Sequence, residues 1–186
     1  PPTGPGAAPT AVDARTCPAM SSLSFAALYR SHADAAPDAS AVTVTGGRSL
    51  TWRELVDDAT RTARVLADLG TTTGDLVTIA FPNGTSFFVT TLACWMLGAI
   101  PQPVSAKLPG RELDEIVALA DSRVVAGVAA DRVPAGRASL PPDFAPDPSI
   151  DATPLPDATA PSWKAPTSGG STGRPKLILA GTPSSI

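Results

Sequence analysis

Ten residues, from position 167 to position 176, concentrate the side-chain types that bind phosphate. They include three glycines, four hydroxyl side chains and one lysine. Glycine lets a ligand approach the backbone closely, and successive backbone N–H groups in such a loop form an anion-binding concavity. The lysine adds a point charge suited to phosphate. The composition predicts a triphosphate cradle formed by Thr167, Ser168, Gly169, Gly170, Ser171, Thr172, Gly173 and Lys176. The alternative is a flexible surface turn rich in glycine and hydroxyl residues.

The spacing differs from that of a Walker A loop. In that motif a Gly-Lys pair is followed by serine or threonine and opens a helix. Here Arg174 and Pro175 separate Gly173 from Lys176, and the apolar residues 177–179 favour a strand. These features argue against a P-loop kinase or GTPase.

Composition narrows the class of protein further. The chain has 186 residues, 43% of them hydrophobic, which suits one domain with a real core. The net charge is -3 and no lysine/arginine run occurs, so neither nucleic acid nor an anionic membrane is an expected partner. The sequence contains no apolar run of 18 residues, so no transmembrane helix is predicted. Cys17, Cys94 and the single histidine, His32, support neither a disulfide framework nor a metal site.

Strand and helix patterns alternate along the chain. Residues 24–36 have helical spacing, and a hairpin is predicted over 41–51. Thr51 and Glu54 form a capping box at the start of a second helix, which Gly70 ends. Further segments follow as strand 76–81, helix 85–98, strand 100–104, helix 110–121 and strand 123–128. The prolines at 101 and 103 confine the segment 100–104 to a sheet edge or a short extended piece. This order of strands and helices predicts an α/β fold with a parallel sheet and right-handed crossovers.

Two segments lack this alternation. Residues 1–20 are interpreted as a disordered leader. Residues 130–162 contain eight prolines and are predicted to form a Pro-rich loop that is disordered or crosses the surface. Beyond it, extended segments on both sides of the phosphate loop predict a strand–loop–strand arrangement.

The loop resembles the phosphate loop of the adenylate-forming superfamily, whose pattern is aromatic-Thr-Ser-Gly-Thr-Thr-Gly-x-Pro-Lys-Gly. Three positions depart from that pattern: Thr167 replaces the aromatic residue, Gly169 replaces serine and Leu177 replaces the last glycine. This variant is similar to the loop of bile-acid or steroid CoA ligases and of fatty acid CoA ligases. The matching positions are Ser168, Gly170, Ser171, Thr172, Gly173, Pro175 and Lys176.

Earlier segments resemble the same superfamily in order and spacing. Residues 50–55 are similar to its Thr-Tyr-x-Glu-Leu helix start, residues 74–79 to its Gly-Asp-x-Val strand entry, and residues 97–101 to its Leu-Gly-Ala-x-x-x-Pro segment. The resemblance covers 21–181. It implies that residues 21–186 form the N-terminal βαβ-type subdomain of the adenylate-forming fold, which is incomplete here. The later motifs and the C-terminal domain have no counterpart.

The resemblance implies a two-step reaction in which a small carboxylic acid reacts with MgATP to give an acyl-adenylate. A thiol, usually that of coenzyme A, then displaces AMP. The implied cofactors are therefore ATP, Mg²⁺ and coenzyme A, and the implied location is cytoplasmic. The loop would bind the β- and γ-phosphates, while Arg174 faces solvent. No catalytic residue is expected within these 186 residues, which are expected to be inactive alone.

Two alternatives to the CoA ligase remain open at this stage. One is an adenylation domain that loads a carrier-protein thiol, and the other is a non-catalytic remnant. Neither the identity of the acid nor the oligomeric state follows from the sequence.

Overall fold

The computed structural model describes residues 22–168 and 175–186. The alternation predicted from the sequence is confirmed, because the described chain is a mixed α/β structure with a parallel sheet. Its elements are α1 (Phe25–Ala35), β1 (Ser40–Val42), β2 (Leu50–Thr51), α2 (Trp52–Asp68), β3 (Leu76–Ile79), α3 (Thr85–Met96), β4 (Ile100–Pro103), α4 (Gly110–Ala120), β5 (Val124–Ala126), a 3₁₀ turn (Ala130–Arg132), β6 (Ala138–Leu140), β7 (Thr167–Ser168) and β8 (Lys176–Leu177). The leader predicted for residues 1–20 lies outside the described residues.

The main sheet has four parallel strands in the order β4-β3-β5-β6. Strands β3 and β5 are central, and their apolar side chains other than that of Leu76 are buried, as expected for a sheet covered on both faces. Strand β4 lies at an edge of the sheet and pairs with β3 on one side. Proline has no backbone N–H to donate to a sheet, and an edge strand tolerates this loss whereas an inner strand does not. The edge position predicted for residues 100–104 is confirmed.

Helices α3 and α4 cover opposite faces of this sheet. Strand β4 lies on one side of β3 and β5 on the other, so right-handed crossovers place the two connecting helices on different faces. Val77 and Ile79 pack into the cluster that contains buried residues of α2 and α3. Ala80 and Val125 pack with Leu113 of α4. The carboxyl ends of β3 and β4 are left at one edge, where the candidate site lies.

The start of α2 is set by local chemistry that the sequence revealed. The Glu54 N–H donates to Thr51 Oγ1 over 3.2 Å, and the Thr51 N–H donates to Glu54 Oε2 over 2.8 Å. This reciprocal pair satisfies two of the N–H groups that have no partner within the helix. The predicted capping box is therefore confirmed.

The structure differs from the sequence-based interpretation within 130–162. Residues 138–140 form β6, which pairs in parallel with β5 and extends the main sheet. Farther along, Arg61 and Arg64 of α2 donate hydrogen bonds to the backbone oxygens of Ile150 and Asp151 at 3.2 and 2.7 Å. A three-residue strand between prolines has too few residues to show periodicity, and its pairing partner lies 14 positions away in the register.

Within the described part of the chain, no helix combines the length and apolar character needed to span a membrane.

Candidate phosphate-binding site

The two strands beside the predicted phosphate loop form an antiparallel hairpin. Thr167 lies opposite Leu177, and Ser168 lies opposite Lys176. The predicted strand–loop–strand arrangement is confirmed for the flanking residues. Directly opposed residues have Cβ atoms about 4.5–5.5 Å apart, so a hydroxyl and an ammonium group start from neighbouring positions. The structure thus brings together Thr167, Ser168 and Lys176. The other predicted site residues, Gly169, Gly170, Ser171, Thr172 and Gly173, lie outside the described residues.

Lys176 is exposed on this hairpin. Several arginines of the chain are paired with acids, such as Arg61 with Asp58 at 3.4 Å. By contrast, no acid among residues 22–168 and 175–186 forms an ion pair with Lys176. Its charge is therefore not neutralised by a described carboxylate and can act on an anion.

The hairpin is the tip of a longer two-stranded segment, which we call the ribbon (residues 160–168 and 175–184). Its strands are joined by backbone hydrogen bonds from Ile178 to Pro166 at 2.9 Å and from Ala180 to Lys164 at 3.1 Å. The ribbon meets the main sheet at β4, where the Ala165 N–H donates to the Pro101 oxygen over 3.0 Å. This contact places the hairpin beside the edge strand of the main sheet.

A cavity of about 580 Å³ lies beside the hairpin at the carboxyl edge of the sheet. In open α/β sheets, ligands bind outside the carboxyl ends of the strands, and pockets of this volume accept a small molecule. The cavity is lined by Phe81, Asn83, Phe87, Pro103, Val104, Ser105, Leu108, Glu112, Glu115, Ile116, Thr167, Ser168 and Pro175.

The polar walls of this cavity differ in charge. Glu112 and Glu115 lie on the α4 side and are exposed, whereas Thr167 and Ser168 line the hairpin side. Carboxylates repel phosphate, so the hairpin side is the one suited to an anion. Sequence reasoning missed Asn83, Ser105 and the two glutamates, because they come from three separate places, after β3, after β4 and within α4, and belong to no common motif.

A second cavity of about 450 Å³ lies farther back along the ribbon, and its lining is mainly apolar and rich in aromatic residues. Tyr29, Trp52, Phe87, Trp95 and Trp163 all contribute to its lining. The Lys164 ammonium is 4.1 Å from the centre of the Trp163 ring, within cation–π range. The lysine thus has an attractive contact here that is unrelated to the hairpin.

The described residues contain no group of three or more histidine, cysteine or acidic side chains placed to hold a metal ion. Cys94 is fully buried, and burial raises the pKa of its thiol far above the ordinary value, as expected for a packing residue. His32 is exposed, and its ring stacks on that of Trp52 at 4.7 Å.

Comparison with known families and proteins agrees with the fold. The family described as "AMP-binding enzyme" matches residues 29–181. A salicylyl-CoA synthase / salicylate adenylyltransferase of a Streptomyces species is 37% identical over 83 residues, which cover 45% of this chain and 15% of that protein. CymA of Salinispora arenicola, a probable non-canonical nonribosomal peptide synthetase, is 34% identical over 176 residues, which cover 89% of this chain and 2% of CymA.

Among solved structures, the N-terminal subdomain of NpsA from Klebsiella oxytoca superimposes with a TM-score of 0.71 at 22% identity. The match covers 85% of this chain and 42% of that structure. The predicted fold class, the N-terminal subdomain fold of adenylate-forming enzymes, is confirmed. The chain spans a small part of the length of both relatives and less than half of this subdomain.

Proposed function

Since this chain belongs to the AMP-binding enzyme family, we propose that it is part of an ATP-dependent ligase joining a carboxylic acid to a thiol. The observation that carries the proposal is the hairpin pair Ser168 and Lys176, which lies beside a cavity at the carboxyl edge of the sheet. Hydroxyl groups and an unneutralised ammonium are suited to phosphate oxygens. The donor set therefore fits the triphosphate of ATP.

In the first half-reaction, a carboxylate oxygen of the acid attacks the α-phosphorus of ATP. The bond from that phosphorus to the bridging oxygen breaks, and pyrophosphate leaves with the electron pair. Lys176 stabilises the negative charge that grows on the departing pyrophosphate. Ser168 and Thr167 donate hydrogen bonds that align it, together with the motif residues Gly169, Gly170, Ser171, Thr172 and Gly173.

The Mg²⁺ that accompanies ATP is not assigned to residues of this chain. The described residues offer it no group of acidic ligands. No step of the proposal therefore passes through the metal.

In the second half-reaction, a thiol sulfur attacks the carbonyl carbon of the acyl-adenylate, and AMP leaves. We assign coenzyme A as the thiol, because the Streptomyces relative is a salicylyl-CoA synthase. A carrier-protein thiol is the second candidate, since the match to a peptide synthetase runs over 89% of this chain. Offering each acceptor to a preformed acyl-adenylate, and measuring the thioester formed, distinguishes the two.

The central test replaces Lys176 in the ligase that contains this chain. A charge-assisted hydrogen bond contributes about 1.5–3 kcal/mol, so Lys176→Ala is expected to slow adenylation by roughly ten- to a hundredfold. Carboxylate-dependent exchange of pyrophosphate into ATP measures this step. Thioester formation from a preformed acyl-adenylate contains no pyrophosphate and is expected to stay nearly unchanged.

Lys164→Ala is the matched control, because Lys164 lies on the same ribbon but contacts the Trp163 ring. It is expected to leave both half-reactions intact. The 186-residue chain alone is the second control and is expected to show no exchange. If Lys176→Ala leaves adenylation at the level of Lys164→Ala, the hairpin is not a phosphate site. A chain that neither binds ATP nor supports exchange in any longer form is a non-catalytic remnant.

A further inference from the structure

The hairpin with Ser168 and Lys176 does not fix its own position. Strands β7 and β8 contain two residues each, and they pair only with one another. An isolated two-stranded hairpin is marginally stable in water. Leu177 packs against the small cluster of Ile100, Ala160 and Ala165, and further support for the hairpin must come from contacts farther back along the ribbon.

One side-chain hydrogen bond to the ribbon comes from Trp95, in the last turn of α3. Its indole N–H donates to the backbone oxygen of Trp163 over 2.9 Å. Trp95 is 9% exposed, and its ring lies edge-to-face against Phe25 with a centroid distance of 4.9 Å. The indole nitrogen can only donate, so burial demands an acceptor such as this one. A rigid helix thus holds the ribbon four residues before Thr167.

Ser162 joins the two strands of the ribbon at the same level. Its hydroxyl oxygen is 2.8 Å from the backbone oxygen of Lys164 and 2.9 Å from that of Ala180. The residue is 3% exposed, so this bridge is shielded from water. Fixing the first strand at Trp163 therefore also restrains the second strand, which carries Lys176.

We propose that Trp95 is a positioning residue, whose indole N–H fixes the ribbon at Trp163 and thereby holds the Ser168–Lys176 pair beside the cavity. The ligand part of this inference depends on the function proposed above, whereas the tether itself does not. Trp95 touches no reacting atom and acts through the backbone of Trp163.

The test substitutes Trp95→Phe, which keeps an aromatic ring against Phe25 and removes the donor. Trp52→Phe is the matched control, because Trp52 lines the same aromatic cavity and stacks on His32. Among the described residues, its indole has no hydrogen-bond partner corresponding to Trp163. The same chemical change is therefore made with and without loss of the tether.

Amide hydrogen exchange in the 186-residue chain measures the tether without any ligand. The Ile178 and Ala180 amides, which hold the ribbon strands together, are expected to exchange about fivefold faster in Trp95→Phe. The Ala80 amide is bonded to Ala126 in the main sheet and is expected to be unchanged. Trp52→Phe is expected to leave all three amides unchanged.

Calorimetric titration with inorganic pyrophosphate measures the consequence for the ligand. Its affinity is expected to fall about fivefold in Trp95→Phe, the factor that one ordinary hydrogen bond contributes, and to be retained in Trp52→Phe. If the unsubstituted chain binds no pyrophosphate, the proposed function of the hairpin fails, and the exchange data still decide whether Trp95 holds the ribbon.

Ser162→Ala provides a second variant in case Trp95→Phe does not fold. It removes the bridge between the strands and is expected to speed exchange at Ile178 and Ala180 but not at Ala80. The proposal is overturned if the folded variants exchange at Ile178 and Ala180 like the unsubstituted chain. It is equally overturned if Ala80 speeds up as much as the ribbon, because Trp95 then supports global stability alone.

Discussion

Residues 50–128 and residues 129–186 are held in place by different forces. The first region contains the central strands of the main sheet with helices α2, α3 and α4, and its side chains such as Leu66, Val77 and Val124 are fully buried. In the described part of the second region, the buried apolar residues are only Leu140, Ala160 and Ala165. The later region is positioned largely by hydrogen bonds to the earlier one, some donated by Arg64 and Trp95 and others, such as that of the Ala165 N–H to Pro101, donated by the later region itself.

This difference has a functional consequence. The side chains with phosphate-binding chemistry, Ser168 and Lys176, lie on the region with little apolar burial. Segments with few buried apolar contacts open locally at lower free energy than the core. We therefore expect ligand binding to depend on a few identifiable tethers, and the free energy of unfolding to depend on the main sheet.

The largest effect is expected at Gly127, at the carboxyl end of β5. Its φ is +85°, and a Cβ added there would lie 2.5 Å from the backbone nitrogen of Phe81. Backbone in a packed sheet cannot yield cheaply, so Gly127→Ala is expected to lower the free energy of unfolding by more than about 3 kcal/mol. Urea denaturation followed by circular dichroism measures this loss.

Gly136 is the matched control from the second region. It has a similar φ of +79°, but an added Cβ would meet nothing within 4 Å. Gly136→Ala therefore carries the conformational cost alone, about 1–2 kcal/mol. Equal losses for the two variants would show that crowding against Phe81 is relieved by movement of the sheet, contrary to the proposed rigidity of the first region.

A smaller effect is expected at Arg64, which holds the Pro-rich segment against α2. Its guanidinium donates to the backbone oxygens of Asp151 and Thr153 at 2.7 and 2.9 Å and to their side chains at 3.0 Å. Arg64→Ala is expected to cost about 1 kcal/mol, because these contacts are partly exposed. Amide exchange is expected to rise around residues 150–153 and to stay unchanged in β3.

Arg111→Ala serves as the control for a general loss of positive charge. Arg111 is 91% exposed and forms an i,i+4 ion pair with Glu115 at 3.2 Å. Such pairs contribute less than about 0.5 kcal/mol. If both arginine variants behave alike, the hydrogen bonds of Arg64 do not hold the Pro-rich segment.

The same division explains what the sequence could predict. In the first region the information is local: Thr51 and Glu54 cap a helix three residues apart, and apolar spacing marks the buried face of α2. Strand β6 was not predicted, because it is stabilised by pairing with β5. A segment of three residues carries no sequence pattern that indicates such pairing.

The candidate site was predictable to the extent that it is one contiguous motif. The motif led to Ser168 and Lys176, which the structure pairs across the hairpin. Asn83 and Ser105 were missed because tertiary packing alone brings them to the cavity. The role of Trp95 could not be predicted, since nothing in its sequence neighbourhood shows that its indole donates to Trp163.

The smallest effect is expected from pH, and its sign should differ between the two regions. In the first region, burial raises the pKa of the Asp58 carboxyl, although Arg48 and Arg61 counteract it. In the second, hydrogen bonds from the side chain and the backbone N–H of Thr153 lower the pKa of Asp151. A raised carboxyl pKa means that the folded state holds the proton more tightly, so Asp58 favours folding as pH falls through that pKa. Asp151 contributes stability above the ordinary carboxyl pKa and loses it as pH falls through its lowered value.

Two variants separate these opposing contributions. The stability lost in Asp151→Asn is expected to shrink as pH falls from neutrality towards pH values below the lowered pKa. The stability of Asp58→Asn relative to the unsubstituted chain is expected to be highest at neutral pH, where the unsubstituted chain buries a charge, and to decline as Asp58 becomes protonated. Carbon-13 titration of the two carboxyl resonances gives the midpoints directly. If the pKa values of Asp58 and Asp151 shift in the same direction, the two regions do not differ in their effect on a carboxyl group. If the Asp151 midpoint is not lowered, the hydrogen bonds from Thr153 to Asp151 do not persist in solution.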